Sequence, residues 1–324
     1  MRVSVVVPLY NKARHIQRAI SSVLAQTYQA FEIIVVDDGS TDGGGDIVRQ
    51  ITDLRLRLIP QTNAGVSAAR NRGIQESSCE LIAFLDADDE WMPNHLETLM
   101  ALRSRYPESG MYATAYRFCE GKKTWRPAFT HCVTDSEGGL LEDYFRSAFG
   151  PPPVWTSAVM IPKSVFNETG CFPVDLSRGE DLRVWAQIAL RYRVAWSPVE
   201  GAIYHLSSDN RACLVVPANL DPEAAFVAPI EEFLRSGVQP VTSRYYVEEY
   251  CVFHRLRYAI LCYLRGERSW ALSHISKTRA SLMFRKQRMF LQCIIWLPSW
   301  LIKAAMRLTS AMHIKINFLR LGAR

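Results

Sequence analysis

Four short runs of this sequence carry groups able to do chemistry, and three of them are acidic. Asp86-Ala87-Asp88-Asp89 places three carboxylates in four positions. Carboxylates this close repel one another unless a cation sits among them, and oxygen donors suit Mg²⁺ or Mn²⁺ better than zinc. The competing reading is a solvated turn with Asp89 as the N-cap of the next helix. An EF-hand is excluded, because the glycine and closing glutamate are missing at the required offsets. In Asp37-Asp38-Gly39-Ser40-Thr41-Asp42, a fixed carboxylate can accept hydrogen bonds from a base or ribose while Gly39 lets the chain turn sharply. Asp42 reads as an Asx-turn residue leading into a helix.

The other two runs are less specific. Residues 63–73, from Asn63-Ala64-Gly65 to Arg72-Gly73, open a helix with small side chains that admit a ligand closely. Arg70 there offers a planar fork for a phosphate or base edge, the alternative being a packed helix with solvent-facing arginines. Gly179-Glu180-Asp181 precedes an amphipathic stretch, so its carboxylates are either helix caps or, if the fold carries them to the other acidic runs, a general base. His205 stands alone among apolar neighbours, which by itself points to a structural role.

These runs need a frame, and hydrophobic periodicity supplies it. Residues 3–7 form a β-branched run suited to a strand buried on both faces and ended by Pro8. Residues 12–26 carry Ile16, Ala19, Ile20, Val23 and Leu24 at helical spacing. Strands at 31–36, 54–60 and 81–85 alternate with helices at 46–53 and from 66 to 76, which predicts an α/β fold with a largely parallel sheet. Such sheets bind ligands outside the carboxyl ends of their strands. Tyr10-Asn11, Asp37-Asp38 and Asp86 with Asp88 all fall at such ends. A dinucleotide fingerprint is not supported, since Pro-Leu-Tyr-Asn-Lys follows Val7 where a glycine-rich turn is needed. Further on, residues 154–162 are expected as a strand after the rigid Pro151-Pro152-Pro153, and 181–192 as a helix.

Composition bounds the rest. With 324 residues, 48% hydrophobic and 22% charged, the chain suits one large core and a smaller appendage, not a disordered segment. Eight cysteines without a Cys-x-x-Cys pair support neither a zinc site nor a disulfide framework. The N-terminal apolar run is too short for a signal sequence, so a reducing, cytoplasmic setting is expected. The net charge of +6 is uneven: acidic clusters lie in the first ninety residues, and the chain turns basic after about Arg244. That asymmetry predicts an anionic partner for the tail, a membrane surface before a nucleic acid. Nucleic-acid binding is disfavoured because the basic residues interleave with apolar helix faces.

Taken in order, Pro8-Leu9-Tyr10-Asn11, Asp37 to Asp42, Asn63-Ala64-Gly65 through Arg70-Asn71, and Asp86-Ala87-Asp88-Asp89 resemble the glycosyltransferase family 2 signature, with Gly179-Glu180-Asp181 as its downstream element. The resemblance covers about the first 210 residues. It implies the GT-A fold, a nucleotide-binding α/β/α sandwich, over 1–215, with 1–110 as the nucleotide-binding half and 111–215 as the acceptor half. A helical C-terminal region over 216–324 has no named counterpart. It further implies that Pro8, Tyr10, Asn11, Asp37, Asp38, Arg70, Asp86 and Ala87 line the donor site. Asp88 would ligate Mn²⁺ or Mg²⁺, joined by His205, and Asp181 would be the catalytic base with Glu180 beside it. The Gln-x-x-Arg-Trp element of polymer synthases is missing, so transfer of one sugar from a nucleotide-sugar, a UDP-sugar first, to a glycan or lipid-linked acceptor is expected. The alternative is a silent nucleotide-sugar-binding scaffold; a nucleotidyltransferase is disfavoured by the lack of a glycine-rich loop after the first strand.

The tail adds one more expectation. Residues 284–310 contain the apolar run 290–302, broken by Pro298 and flanked by Arg285, Lys286, Arg288, Lys303 and Arg307. The run is shorter than the ~20 residues needed to span a bilayer. Tryptophans with flanking cations suit a helix lying in the headgroup layer, peripheral on the cytoplasmic face, against the alternative of an ordinary core helix.

Overall fold

The structure is a computed structural model, and it describes residues 1–176, 178–208, 226–278 and 280–298. The chain divides into two compact units: Met1–Pro217 with Pro240–Thr242, and Ala218–Gln239 with Ser243–Arg324.

The first unit alternates strand and helix as β1 (Val3–Leu9), α1 (Ala13–Leu24), β2 (Phe31–Asp37), α2 (Gly44–Arg49), β3 (Leu56–Pro60), α3 (Val66–Glu76) and β4 (Leu81–Phe84). It continues with β5 (Glu90–Trp91), α4 (His95–Arg105), β6 (Met111–Glu120), β7 (Lys123–Trp125), β8 (Gly139–Leu140) and α5 (Tyr144–Ser147). A 3₁₀ turn at Thr156–Ala158 leads into β9 (Val159–Pro162), α6 (Lys163–Thr169), α7 (Glu180–Arg191) and β10 (Val194–His205). Among the described residues the ten strands join one sheet, in the order β3-β2-β1-β4-β9-β6-β10-β5, with β7 on β6 and β8 on β10. The pairings send β1, β2, β3, β4, β6 and β10 in one direction, and β9 runs against its neighbours β4 and β6. The protein is therefore α/β with a mostly parallel central sheet.

Period-two alternation explains the layering. Val3, Val5, Val7, Ile33 and Val35 share a core with Ile16, Ala19, Ile20 and Val23 of α1. The intervening Ile34 and Val36 pack with Ala69 of α3 on the opposite side. A strand buried on both faces must be apolar at every position, which is why β1 and β2 read as unbroken hydrophobic runs.

Three expectations shift. Pro8 does not end β1, which continues to Leu9 in register with Asp37. Pairing of β1 with β4 stops at Val6, so the N–H that proline lacks is not needed there. Asp89 does not cap a helix: α4 begins at His95 behind Asn94, and β5 intervenes. Residues 154–162 are only in part a strand, because the 3₁₀ turn precedes the reversed β9.

The second unit is helical, with α8 (Ala228–Arg235), α9 (Arg244–Arg265), α10 (Arg268–Ser276) and α11 (Arg285–Ile294). Leu256, Ala259, Ile260 and Tyr263 of α9 form its core with Ala271, Ile275, Leu291 and Ile294. Residues 299–310 of the expected surface helix lie outside the described residues.

Gly73 of α3 tests the packing of helix on sheet. A Cβ there would come within 2.2 Å of Val6 Cγ1 and 3.1 Å of Val6 Cβ. Alanine normally favours a helix interior over glycine by about 1 kcal/mol. Here the clash should win, so Gly73→Ala is expected to destabilise by about 1–3 kcal/mol. A raised thermal midpoint would show that Val6 yields.

Candidate active site

The strand ends meet as the parallel order requires. At the end of β1, Tyr10 is exposed and Asn11 adopts φ 50°, a left-handed conformation that asparagine tolerates better than most residues. Asn11 Oδ1 accepts the Thr41 main-chain N–H at 2.9 Å, and the Asn11 N–H donates to Ser40 Oγ at 3.1 Å, which ties the first two strand ends together. Asp42 behaves as the Asx reading expects: its Oδ1 accepts the Gly44 N–H at 3.0 Å, and its Oδ2 takes the Ala13 N–H at 2.8 Å.

The paired aspartates after β2 have separate duties. Asp37 Oδ1 accepts the Ser40 N–H at 2.9 Å. Asp38 is only 2% exposed, and its carboxylate accepts Gln61 Nε2 at 2.7 Å and the Ala64 and Gly65 N–H groups at 2.8 Å each. Asp38 therefore anchors the loop that leads into α3, instead of presenting a free carboxylate at the surface.

Arg70 faces inward, not to solvent. It is 3% exposed; Nη2 donates to Asp86 Oδ1 at 2.8 Å and Nη1 to Glu180 Oε1 at 2.7 Å. Burial works against its charge, but Asp86, Glu180 and nearby Asp181 outweigh that and hold the guanidinium more firmly protonated. Gly179, at φ 75°, makes the left-handed turn that starts α7 and delivers Glu180 and Asp181 in its first turn.

Asp181 is the most perturbed group that this turn delivers. Its Oδ2 accepts Thr156 Oγ1 at 3.2 Å, and its Oδ1 accepts the Leu182 N–H at 2.7 Å. Burial, with the neighbouring charge of Glu180, pushes its carboxyl up to about 7 against the pull of Arg70. Tyr116 lies close enough that Asp181, after burial, helps to raise its phenol.

The carboxylates after β4 point three ways. Asp86 meets Arg70. Asp88 Oδ2 sits 2.7 Å from Lys12 Nζ, and its carbonyl accepts Arg18 Nη2 at 2.6 Å. Asp89 is 1% exposed and points into the core, where its Oδ2 accepts Ser157 Oγ at 2.5 Å and Trp155 Nε1 at 3.3 Å. Burial, then the charges of Asp88 and Asp86, raise its carboxyl well above the ordinary range. Ser157 Oγ in turn accepts the Asp86 N–H at 3.1 Å. The 3₁₀ turn thus holds the acidic loop from beneath while Thr156 reaches Asp181. Ala87, between the two loop carboxylates, is buried.

His205, at the end of β10, places Nε2 3.1 Å from Glu90 Oε2. Burial and Arg18 lower the imidazole, while Glu90 and Asp88 act in the opposite sense, so Asp88 and His205 share one electrostatic neighbourhood. Carboxylate oxygens with one imidazole form a donor set that fits a hard divalent cation, and the Lys12 ammonium occupies a cation's position on Asp88. Among the described residues no three side chains of His, Cys, Asp or Glu converge as a metal cage.

Lys12, Arg18, Glu90, Thr156 and Ser157 were not singled out by spacing. Lys12 directly follows Tyr10-Asn11 and carried a positional hint; the two hydroxyls had none, because a 3₁₀ turn before a reversed strand leaves no periodic mark.

The chain resembles known proteins in sequence and in fold. The sequence profile described as Glycosyl transferase family 2 matches residues 4–170. An uncharacterized glycosyltransferase of Nostoc sp. is 44% identical over 103 residues, 31% of this chain and 32% of the relative. The Escherichia coli relative WfgD, named as a UDP-Glc:alpha-D-GlcNAc-diphosphoundecaprenol beta-1,3-glucosyltransferase, is 40% identical over 111 residues, 34% of this chain and 44% of that protein. These matches span less than half of either relative. The crystal structure of S. aureus TarS 1-349 in complex with UDP-GlcNAc superposes with a TM-score of 0.64 at 18% identity, covering 90% of this chain and 79% of that one. At that identity the likeness speaks for the GT-A fold alone.

The Arg70 junction can be tested on stability. Removing one partner of a buried ion pair leaves uncompensated charge and typically costs about 3–5 kcal/mol. Arg70→Ala should lose that much in urea unfolding, and Arg70→Lys, which cannot fork, should lose part of it. A change within error for both would mean that the triad does not hold α3, β4 and α7 together.

Proposed function

This chain belongs to glycosyl transferase family 2, and on that premise we propose that it moves one sugar from a UDP-sugar to a hydroxyl of a glycan or lipid-linked acceptor, with inversion at the anomeric carbon. The observation that carries the proposal is the Arg70 junction, which joins the β4-end carboxylate Asp86 to the α7 turn bearing Asp181. Donor and acceptor groups on separate elements are thereby held in one place. The UDP-sugar assignment draws on the substrates in the names of WfgD and the TarS complex.

In this reading Tyr10, Asn11, Asp37 and Asp86 contact the donor, while Pro8, Ala87, Asp38 and Arg70 shape the pocket behind them. Asp88 and His205 would hold Mn²⁺ or Mg²⁺, which would supply neutralising charge for the departing diphosphate. Lys12, within reach of Asp88, leaves it for the phosphate oxygens when the donor arrives. The acceptor hydroxyl attacks the anomeric carbon from the side opposite the diphosphate. Asp181 takes its proton, the new C–O bond forms, and the electron pair of the broken bond leaves with UDP. Glu180 keeps Arg70 aligned behind the base. The enzyme works on the cytoplasmic face, peripheral to the membrane. A silent scaffold has no chemical need for both Asp88 and Asp181, so the catalytic reading is preferred.

Asp181→Asn should lower transfer by about 10²–10⁴ while UDP-sugar binding persists, since general-base assistance is of that order. Near-normal turnover in the purified variant would sink the base assignment. A base must be unprotonated, so the wild-type rate should rise as pH passes about 7, and the residual rate of Asp181→Asn should lack that limb. For the metal, a donor at ~100 times its dissociation constant stabilises by about 2.7 kcal/mol. Asp88→Ala should lose the Mn²⁺-dependent part of that thermal shift; an undiminished part would remove Asp88 as ligand.

A further inference from the structure

The helical unit carries a surface that sugar transfer leaves unexplained. Between Arg268 and Arg324 the sequence has eleven lysines and arginines and neither aspartate nor glutamate. Within that stretch α11 turns Leu291 and Ile294 into the core of its own unit. Its opposite face is also apolar: Met289 is 51% exposed and Phe290 45%, and just beyond the helix Trp296 is 65% and Leu297 44%. An ordinary surface helix is polar on the side away from the core, so a helix apolar on both sides has a second apolar surface to cover. Arg285 and Lys286, both exposed, stand at the start of the same outward face. The outward side is thus cationic at one end and aromatic or aliphatic at the other.

We propose that the outward face of α11 is a docking surface for a bilayer rich in anionic lipid, with Met289, Phe290, Trp296 and Leu297 in the headgroup–acyl boundary and Arg285 and Lys286 against the phosphates. This deepens the peripheral location proposed above and is tested without the transfer reaction. Three considerations select this occupant. A second copy on the same face would bring one acid-free cationic segment against another, which like-charge repulsion opposes. A polybasic segment next to exposed tryptophan and phenylalanine is the pattern that anionic interfaces attract. No described helix is long and apolar enough to cross a membrane, so the exposed apolar side chains suit a helix lying in the interface.

The test is co-sedimentation of the full chain with vesicles of phosphatidylcholine alone and of phosphatidylcholine mixed with phosphatidylglycerol, across a sodium chloride series. Binding to the mixed vesicles is expected, weakening as salt rises. Arg285→Glu with Lys286→Glu should weaken it by more than about tenfold, since each cation near such a surface contributes several-fold. Phe290→Ser with Trp296→Ser should weaken binding by about tenfold or more at every salt concentration. The thermal midpoint of each variant reports folding, and the charge variant, confined to exposed positions, keeps the test meaningful if the aromatic one unfolds. No sedimentation, equal binding to both vesicle types, or unaltered binding by both folded variants overturns the proposal. So does a solution dimer that Phe290→Ser with Trp296→Ser dissociates while vesicle binding stays unchanged. Failure here leaves the donor-binding and pH tests of the transferase reading untouched, and failure of those leaves the vesicle result standing.

Discussion

Arg70 is a guanidinium almost wholly withdrawn from water, faced by Asp86, Glu180 and the charge of Asp181. Burying one cation among three carboxyl groups is unfavourable unless geometry and hydrogen bonds make up for lost hydration. Arginine suits the position because its fork donates to two carboxylates at once, which a lysine point charge does not do. The arrangement joins α3, the end of β4 and the start of α7. It also accounts for Asp181: one positive charge cannot fully offset several negative ones, so this partly buried carboxyl, desolvated and beside Glu180, rises to about 7. A group poised near neutrality follows from crowding, with no device needed beyond the triad.

The acidic loop after β4 shows how neighbouring residues acquire different chemistry. Asp86 leans to Arg70, Asp88 to Lys12, and Asp89 turns down to Ser157 and Trp155. The same residue type at three positions thus pairs with a buried arginine, pairs with a lysine and serves as a buried anchor. Environment decides among these, as it does wherever two carboxyl groups in one site hold different protonation states. Ser157 is the quiet contributor, because its hydroxyl bonds both Asp89 and the Asp86 backbone and so fixes the loop's shape.

The two units differ in how their apolar surface is used. In the first, strands are covered on both faces and the chemistry stands at their ends. In the second, α11 covers its inward side with its own core and leaves a second apolar side exposed beside cations. A substrate tethered to lipid and an enzyme held at the same surface would meet in two dimensions, which raises their effective concentration.

The sequence alone determined the alternating strands and helices from β1 to β4, the helix α7, the sheet's dominant direction and the convergence of Tyr10, Asp37 and Asp86 at strand ends. Those are local properties: alternation and helical spacing are written within a dozen residues, and parallel order puts successive strand ends on one side. What the tertiary structure decided is which way each polar side chain turns. Arg70 on its helix was equally compatible with solvent, and it is drawn inward by Asp86 together with Glu180, 110 positions away. Asp38 looked as available as Asp37 until Gln61 and the Ala64 and Gly65 N–H groups claimed its oxygens. Asp89 looked like a cap until β5 took the place of a helix, and Thr156 and Ser157 gained their positions from a strand that runs backwards. A residue's type and spacing set what it can do; the partner that reaches it from far along the chain sets what it does, because burial and pairing are properties of the assembled core.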